Sequence, residues 1–308
     1  MRIAVVGAGA IGCYFGGRLA RAGADVAFLA RGVNLTALRE RGLQVRSVRG
    51  DFELSVAASD DPAAIGASDI VLFCVKSFDT DTAAASLPML LHRETGVLSL
   101  QNGVDNEEKL ARAIGKERVL AGAAYIFASL VEPGVIEDRG GPGSIVFGEL
   151  DGARSERAER LLDWFGRADI SAEIDPGIRA TLWDKLAFIC AQAGMTAAAR
   201  LPIGAIRENA ASWAMFRRIV GEVVALAEAE GVRLPADTVE RHANFAQTLE
   251  ADGTSSLYHD LVHGRRLELD ALHGFVVRRA QRHGLPVPAC EAVNALLSPW
   301  AEQNARNA

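Results

Sequence analysis

Cysteine is scarce in this chain. Cys13, Cys74, Cys190 and Cys290 are scattered over 308 residues with no C-x-x-C pair, a pattern that excludes a disulfide scaffold or thiolate zinc site and suits a reducing compartment. Basic charge is short as well. Lys and Arg number 33 against 39 Asp and Glu, a net charge of -6, so the basic face of a nucleic-acid binder is missing. No stretch reaches the ~18 apolar residues of a membrane helix. Met1-Arg2 and the apolar residues behind it have the outline of a signal peptide, but the run is too short and breaks at Gly7. His259 and His263 are spaced like a metal pair, yet no third ligand accompanies them, and an exposed helix face explains them better. The expectation is a soluble cytoplasmic protein with a small-molecule ligand and no metal, nucleic-acid or membrane partner. A homodimer is compatible with the sequence.

Glycine, by contrast, is placed with purpose. The apolar run Ile3–Val6 breaks into Gly7-Ala8-Gly9-Ala10-Ile11-Gly12, and a helix-like stretch follows from Cys13. A buried strand, three spaced glycines and a helix present free N–H groups and a helix dipole to a pyrophosphate. Further apolar runs at Val26–Leu29, Ile70–Val75 and Val97–Leu100 alternate with helical stretches over 34–41, 80–91 and 106–114, the pattern of a doubly wound parallel sheet. Leu43–Val48 and Phe52–Ala57 flank Arg49-Gly50-Asp51 as a hairpin on the sheet edge. The segments 119–131, 134–138 and 144–148 form an antiparallel extension. After Asp175-Pro176-Gly177 only helical patterns remain, over 178–199, 210–230, 237–249, 267–283 and 289–303. The fold class is therefore α/β: a Rossmann-type domain over 1–168, then an all-α domain over 169–308.

Five positions carry candidate chemistry. Arg31 follows the second strand in Leu29-Ala30-Arg31-Gly32, where an NAD site places an acidic residue for the ribose 2′-OH. An arginine suits a 2′-phosphate and therefore NADP, although a solvated surface arginine reads the same way. Lys76 and Asn102 each follow a later strand, over the cofactor crevice, where loop residues capping a helix are the plain alternative. Lys185 sits in Trp183-Asp184-Lys185-Leu186 ahead of a nearly continuous apolar run to Ala199. Burial there lowers a lysine pKa toward that of a working proton donor, unless the side chain snorkels or pairs with Asp184. Glu268 is a candidate counter-charge or mere decoration of a helix start.

These residues together resemble the ketopantoate reductase family over essentially the whole chain. The shared motifs are Gly7–Gly12, Arg31, Val75-Lys76, Gln101-Asn102-Gly103-Val104, Trp183-Asp184-Lys185-Leu186, Thr254-Ser255-Ser256, Glu268-Leu269-Asp270 and His273-Gly274. The resemblance implies an NADPH-dependent reduction of a 2-oxo acid. It makes Lys185 the proton donor and Glu268 the residue that orients it. It also makes Asn102 a bridge between nicotinamide and substrate, Ser256 the holder of the substrate carboxylate, and Arg31, Lys76 and the backbone near Ala128 cofactor contacts. Family members acting on ketopantoate carry asparagines one and two turns after the lysine and another in the following loop. Ile189, Ala193 and Ile203 stand there instead, which implies a substrate with a more apolar tail. A D-mandelate-type D-2-hydroxyacid dehydrogenase and a non-catalytic NADP-binding sensor are the competing expectations.

Overall fold

Ile3, Ala4, Val5 and Val6 are almost wholly shielded from solvent, and a strand covered on both faces reads as just such an unbroken apolar run. They form β1 (Arg2–Val6) in a computed structural model that describes residues 1–307. The chain divides into two compact units, Met1–Gln101 with Asp105–Ile178, and Asn102–Val104 with the chain from Arg179 on.

In the first unit β1 is followed by α1 (Ala10–Arg21), β2 (Asp25–Leu29), α2 (Gly32–Arg41), β3 (Leu43–Ser47), β4 (Phe52–Leu54), β5 (Ala57–Ser59) and α3 (Pro62–Ile65). Then come β6 (Ile70–Phe73), α4 (Thr80–Ala84), β7 (Gly96–Ser99), α5 (Asn106–Ile114), β8 (Val119–Tyr125), β9 (Ala128–Glu132), β10 (Val135–Asp138), β11 (Ser144–Glu149), α6 (Glu156–Arg167) and β12 (Ser171–Ile174). The main sheet has the order β12-β11-β8-β7-β6-β1-β2-β5. It is a Rossmann-like sheet whose strands from β8 to β5 run parallel.

Three local expectations need correction. The hairpin β3–β4 forms, but on a separate four-stranded sheet of order β4-β3-β10-β9, because β10 pairs in parallel with β3 and buries Ile136 beside Val45. The antiparallel extension is narrower than expected: β8 is parallel to β7, β11 alone runs antiparallel to β8, and β12 is parallel to β11. β12 stays with the sheet, and the first compact unit runs on through Ile178. The expected helix over 80–91 is α4 with 3-10 turns over Ser77–Asp79 and Leu87–Leu90 on either side. Pro88 lacks the N–H that a continuing helix needs.

Two glycines explain how α1 touches both sheets. A Cβ on Gly16 would lie 2.8 Å from a Val5 methyl and 2.9 Å from the Phe28 ring, both of the main sheet. One on Gly17 would lie 2.7 Å from a Leu43 methyl of the smaller sheet. Bare backbone on adjacent faces lets one helix pack closely against two surfaces.

The second unit is helical: α7 (Ile178–Ala199), α8 (Ile203–Glu208), α9 (Ala210–Ala229), α10 (Thr238–Thr248), α11 (Ser256–Val262), α12 (His273–His283) and α13 (Pro288–Asn307). Leu186, Ala187, Cys190 and Ala191 of α7 join Phe216 and Val220 of α9, Val276 of α12 and Val293 of α13 in one core. A helix apolar around most of its circumference is stable only when neighbours cover it. The buried Glu222 of α9 accepts hydrogen bonds from the Ala289 and Cys290 N–H groups at the start of α13 (2.9 and 2.8 Å), answering donors a helix start leaves open. The single helix expected over 267–283 is a 3-10 turn at Leu269–Ala271 followed by α12, broken at Leu272 where φ is -105° and ψ -98°.

Candidate active site

In the first unit the ends of adjacent parallel strands carry the Gly7–Gly12 turn, Arg31 and Lys76. The Cys74 N–H donates to the Val6 carbonyl, that of Gly7 to Leu29 and that of Leu100 to Phe73. The segments leaving β1, β2, β6 and β7 therefore emerge side by side, at the edge where a doubly wound sheet binds ligands.

The three glycines there do different work. Gly7 has φ +99°, and a Cβ on it would meet the backbone of Val75 at 2.6 Å. On Gly12 a Cβ would meet the Gly7 carbonyl oxygen at 2.2 Å and Val5 at 2.8 Å. Both positions are closed to side chains by the protein itself. Gly9 differs, because a Cβ built on it meets nothing within 4 Å. It caps α1 without any side-chain hydrogen bond, and no acidic residue lies in the first turn. Open space over a helix start with unanswered N–H groups fits a pyrophosphate. The turn is held from below, where Asn34 Nδ2 donates to the Ala8 carbonyl (2.6 Å) and Asn34 Oδ1 accepts from the Gly134 N–H (2.7 Å).

Arg31 is exposed at the N-cap of α2, in extended backbone two residues beyond β2. Lys76 is exposed just ahead of the Ser77–Asp79 turn. Ala128 opens β9, pairs with Asp138 of β10 and is half-buried against the core around α1. A buried amide that sequence reading did not single out braces the Lys76 segment. Gln101 Nε2 donates to the Val75 carbonyl (3.0 Å) and to Thr80 Oγ1 (2.8 Å), and Thr80 Oγ1 donates to the Ser77 carbonyl (2.9 Å). Nearby, Glu107 of α5 is buried, its Oε2 without a hydrogen-bond partner. Burial, reinforced by the charges of Asp105 and Glu108, raises its pKa to about 7 despite hydrogen bonds that include Ser99. Asn102 is half-buried and groups with the second unit, where the neighbouring Val104 packs on the helical core.

In the second unit α7 carries Lys185, half-buried, with Ile189 half-buried one turn on and Ala193 buried two turns on. Residues four and eight apart share a helix face. The Asp184 carboxylate is taken up by both guanidinium nitrogens of Arg241, and His242 Nε2 lies 3.2 Å from its Oδ1. Burial alone would raise the Asp184 pKa, but His242 and Arg241 outweigh it and hold it at about 2. Ile203, expected in a loop, opens α8 and is fully buried in the core.

Ser256 is exposed as the first residue of α11, and Ser255 before it caps that helix by accepting the Tyr258 N–H (3.0 Å). Glu268 is buried just ahead of the 3-10 turn. The helix beyond it leans on α7, with the Trp183 and Phe275 rings 5.9 Å apart and His273 seated over Gly194, where a Cβ would lie 2.4 Å from its Nε2. His259 Nε2 is 2.9 Å from Thr254 Oγ1, and His263 Nδ1 is 2.8 Å from the His259 carbonyl. Among the described residues no cluster of three or more His, Cys, Asp or Glu is arranged to hold a metal, and no helix is long and apolar enough to cross a membrane.

The shallow depression lined by Met1, Asp69, Glu156, Glu159, Arg160, Asp163 and Trp164 lies at the amino ends of β1 and β6, away from the glycine turn. Four carboxylates against one guanidinium make it a poor host for an anion.

Comparison with known proteins agrees with this arrangement. Residues 3–152 match the family model described as ketopantoate reductase PanE/ApbA, and residues 177–301 match its C-terminal counterpart. A 2-dehydropantoate 2-reductase of Halobacterium salinarum is 33% identical over 299 residues, covering 96% of this chain and 98% of that protein. The crystal structure of a PanE/ApbA family ketopantoate reductase from Ralstonia eutropha superposes with a TM-score of 0.91 at 36% identity, covering 99% of this chain and all of that one. A D-mandelate dehydrogenase solved with NADH and anilino(oxo)acetate gives a TM-score of 0.91 at 22% identity, covering 99% of both chains, a likeness of fold.

Proposed function

The chain belongs to the ketopantoate reductase family of nicotinamide-dependent oxidoreductases, and from that membership we propose that it reduces the C2 carbonyl of a 2-oxo acid with NADPH, giving the 2-hydroxy acid. The observation that carries this reading is the glycine turn. Gly9 opens onto free space at an uncapped helix start, and the exposed cation beyond β2 is Arg31 where an NAD site would place a carboxylate.

The residues present fit such a cofactor. Gly7–Gly12 and the start of α1 would hold the pyrophosphate, Arg31 and Lys76 the 2′-phosphate side, and the backbone at Ala128 the flank of the site. When bound, the reduced nicotinamide supplies the hydride. Lys185 supplies the proton as negative charge grows on the C2 oxygen, because a positioned ammonium stabilises the developing alkoxide. Glu268 orients that ammonium. Asn102 holds the reacting carbonyl in line and Ser256 takes the substrate carboxylate.

Beyond the reacting carbon, the face of α7 offers Ile189 and Ala193, and Phe188 flanks it with its ring 5.0 Å from that of Phe245. Alkyl and aromatic groups leave a substrate hydroxyl without a partner, which costs about 1–3 kcal/mol. This supports a 2-oxo acid with an apolar tail over ketopantoate itself. Steady-state NADPH oxidation with ketopantoate and with branched-chain and aromatic 2-oxo acids tests the reading. The expected result is turnover with NADPH and a higher kcat/KM for the apolar substrates. A preference for ketopantoate would overturn the substrate part. NADPH binding without turnover on any 2-oxo acid would favour a nucleotide-binding sensor.

A further inference from the structure

The helix that carries Lys185 and the turn that carries Ser256 are joined by hydrogen bonds that neither residue makes itself. Thr196 is fully buried on α7, and its Oγ1 lies 2.9 Å from the buried Ser255 Oγ. The same Thr196 Oγ1 donates toward the Gln192 carbonyl (2.8 Å), one turn back on α7. Gln192 in turn sends its Nε2 to the Thr254 carbonyl (3.1 Å). Ser255 Oγ also accepts the Tyr258 N–H (3.0 Å), so one hydroxyl caps α11 and grips α7 at once.

These bonds have a direction that matters. Gln192 and Thr196 lie seven and eleven residues beyond Lys185, which brings them back to its side of the helix at 3.6 residues per turn. They therefore reach the 254–255 turn from the lysine-bearing face. Thr196 is also anomalous where it stands. Its hydroxyl, fully buried between Met195 and Ala197, costs stability unless it is paired. A turn held only by its own backbone needs no such partner.

We propose that Thr196 and Gln192 are positioning residues that fix the Ser256 turn on the lysine helix, so that the carboxylate of the 2-oxo acid and its C2 oxygen are held at one set spacing. The inference rests on the reductase reading above, with Ser256 as the carboxylate contact. It commits to a specific consequence: loosening the tie weakens capture of the acid while leaving cofactor capture and the chemical step largely as they were. Thr196→Val keeps the shape and removes the hydroxyl. Gln192→Met keeps the length and removes the donor.

The test is steady-state kinetics of the full-length protein with NADPH and its best 2-oxo acid, alongside amide hydrogen exchange of the unliganded protein. Thr196→Val is expected to raise KM for the acid about tenfold with kcat within about twofold and the NADPH KM unchanged, as loss of one positioning bond would. Thr196→Ser restores the hydroxyl and should return KM to near the wild-type value. Gln192→Met should act in the same direction. Exchange at the Ser256–Tyr258 amides should quicken in Thr196→Val and recover in Thr196→Ser. An unchanged KM, or a fall in kcat with no change in KM, overturns the proposal, as does failure of Thr196→Ser to rescue. If the wild type turns over no 2-oxo acid, the reductase reading fails by itself. The tie is then decided by the exchange data, and unchanged exchange in Thr196→Val rejects it.

Discussion

Glycine at neighbouring positions can mean two different things, and the surroundings of each residue separate them. Gly12 is closed off by the Gly7 carbonyl and Val5, so Gly12→Ala forces backbone apart at the base of α1 and should cost about 1–3 kcal/mol, on the scale of overpacked cores. Gly9→Ala has open space before it and should leave the melting temperature within about 2 °C of wild type. Its new methyl group would enter the space proposed for a phosphate, so NADPH affinity should fall at least about tenfold. Fluorescence titration and thermal denaturation of both variants separate the roles, and a Gly9→Ala protein that binds NADPH normally would remove the pyrophosphate from this turn. Arg31→Asp tests the proposed 2′-phosphate contact. It should raise the NADPH KM about tenfold or more while leaving NADH use the same or better. Equal losses with both cofactors would mean that Arg31 does not choose between them. For Lys185, Lys185→Met keeps the stem and deletes the charge, and kcat should drop by about 10²-fold or more.

At the scale of helices and strands, legibility in the sequence follows the reach of the interaction that builds each element. The runs at Ile3, Val26, Ile70 and Val97 were readable because strands buried on both faces announce themselves within four or five residues. The smaller sheet was not, because β3 finds β10 some ninety residues later, at the Val45–Ile136 register. The candidate site residues divide in the same way. Gly7–Gly12, Arg31, Lys76 and Lys185 are marked by local context, whereas the Thr196–Ser255 bond spans 59 residues and the Asp184–Arg241 pair 57. The last pair ties α7 to α10, and its strength can be measured. Asp184 is held at about pKa 2 in the folded protein, below its ordinary 3.8. The sign follows: its contribution is complete above about pH 4 and is lost as pH falls through about 2. Asp184→Ala should cost about 1 kcal/mol at neutral pH, since Arg241 remains partly open to water and screens the pair. Chemical denaturation of Asp184→Ala beside Arg241→Ala and the double variant would give the coupling, and additive losses would mean that the two helices are not joined there.

Across the whole molecule, the two units carry buried titrating groups that answer acid in opposite ways. Glu107 belongs to the sheet unit, and burial lifts its pKa from 4.5 to about 7. A carboxyl whose folded pKa is raised stabilises the fold below the unfolded value, and that stabilisation is lost as pH rises through about 7. His273 belongs to the helical unit and is fully buried, and burial drops its pKa from 6.5 to about 4 despite the nearby Cys190 carbonyl. The unfolded chain takes up a proton there that the folded chain refuses, so stability is lost as pH falls from about 6.5 toward 4. Each swing is on the order of 3 kcal/mol at its limit. Between neutrality and mild acid the sheet unit should tighten while the helical unit loosens. Hydrogen exchange at about pH 7.5 and pH 5, corrected for the intrinsic rates, should show protection moving from the helices to the sheet. Glu107→Gln should raise the stability of the sheet unit at the higher pH and leave it alone at the lower. His273→Leu should flatten the acid loss of the helices. If the two variants shift their units equally at both pH values, the groups do not titrate as their burial requires. If both units loosen together in acid, carboxylates at the surface outweigh these two buried groups.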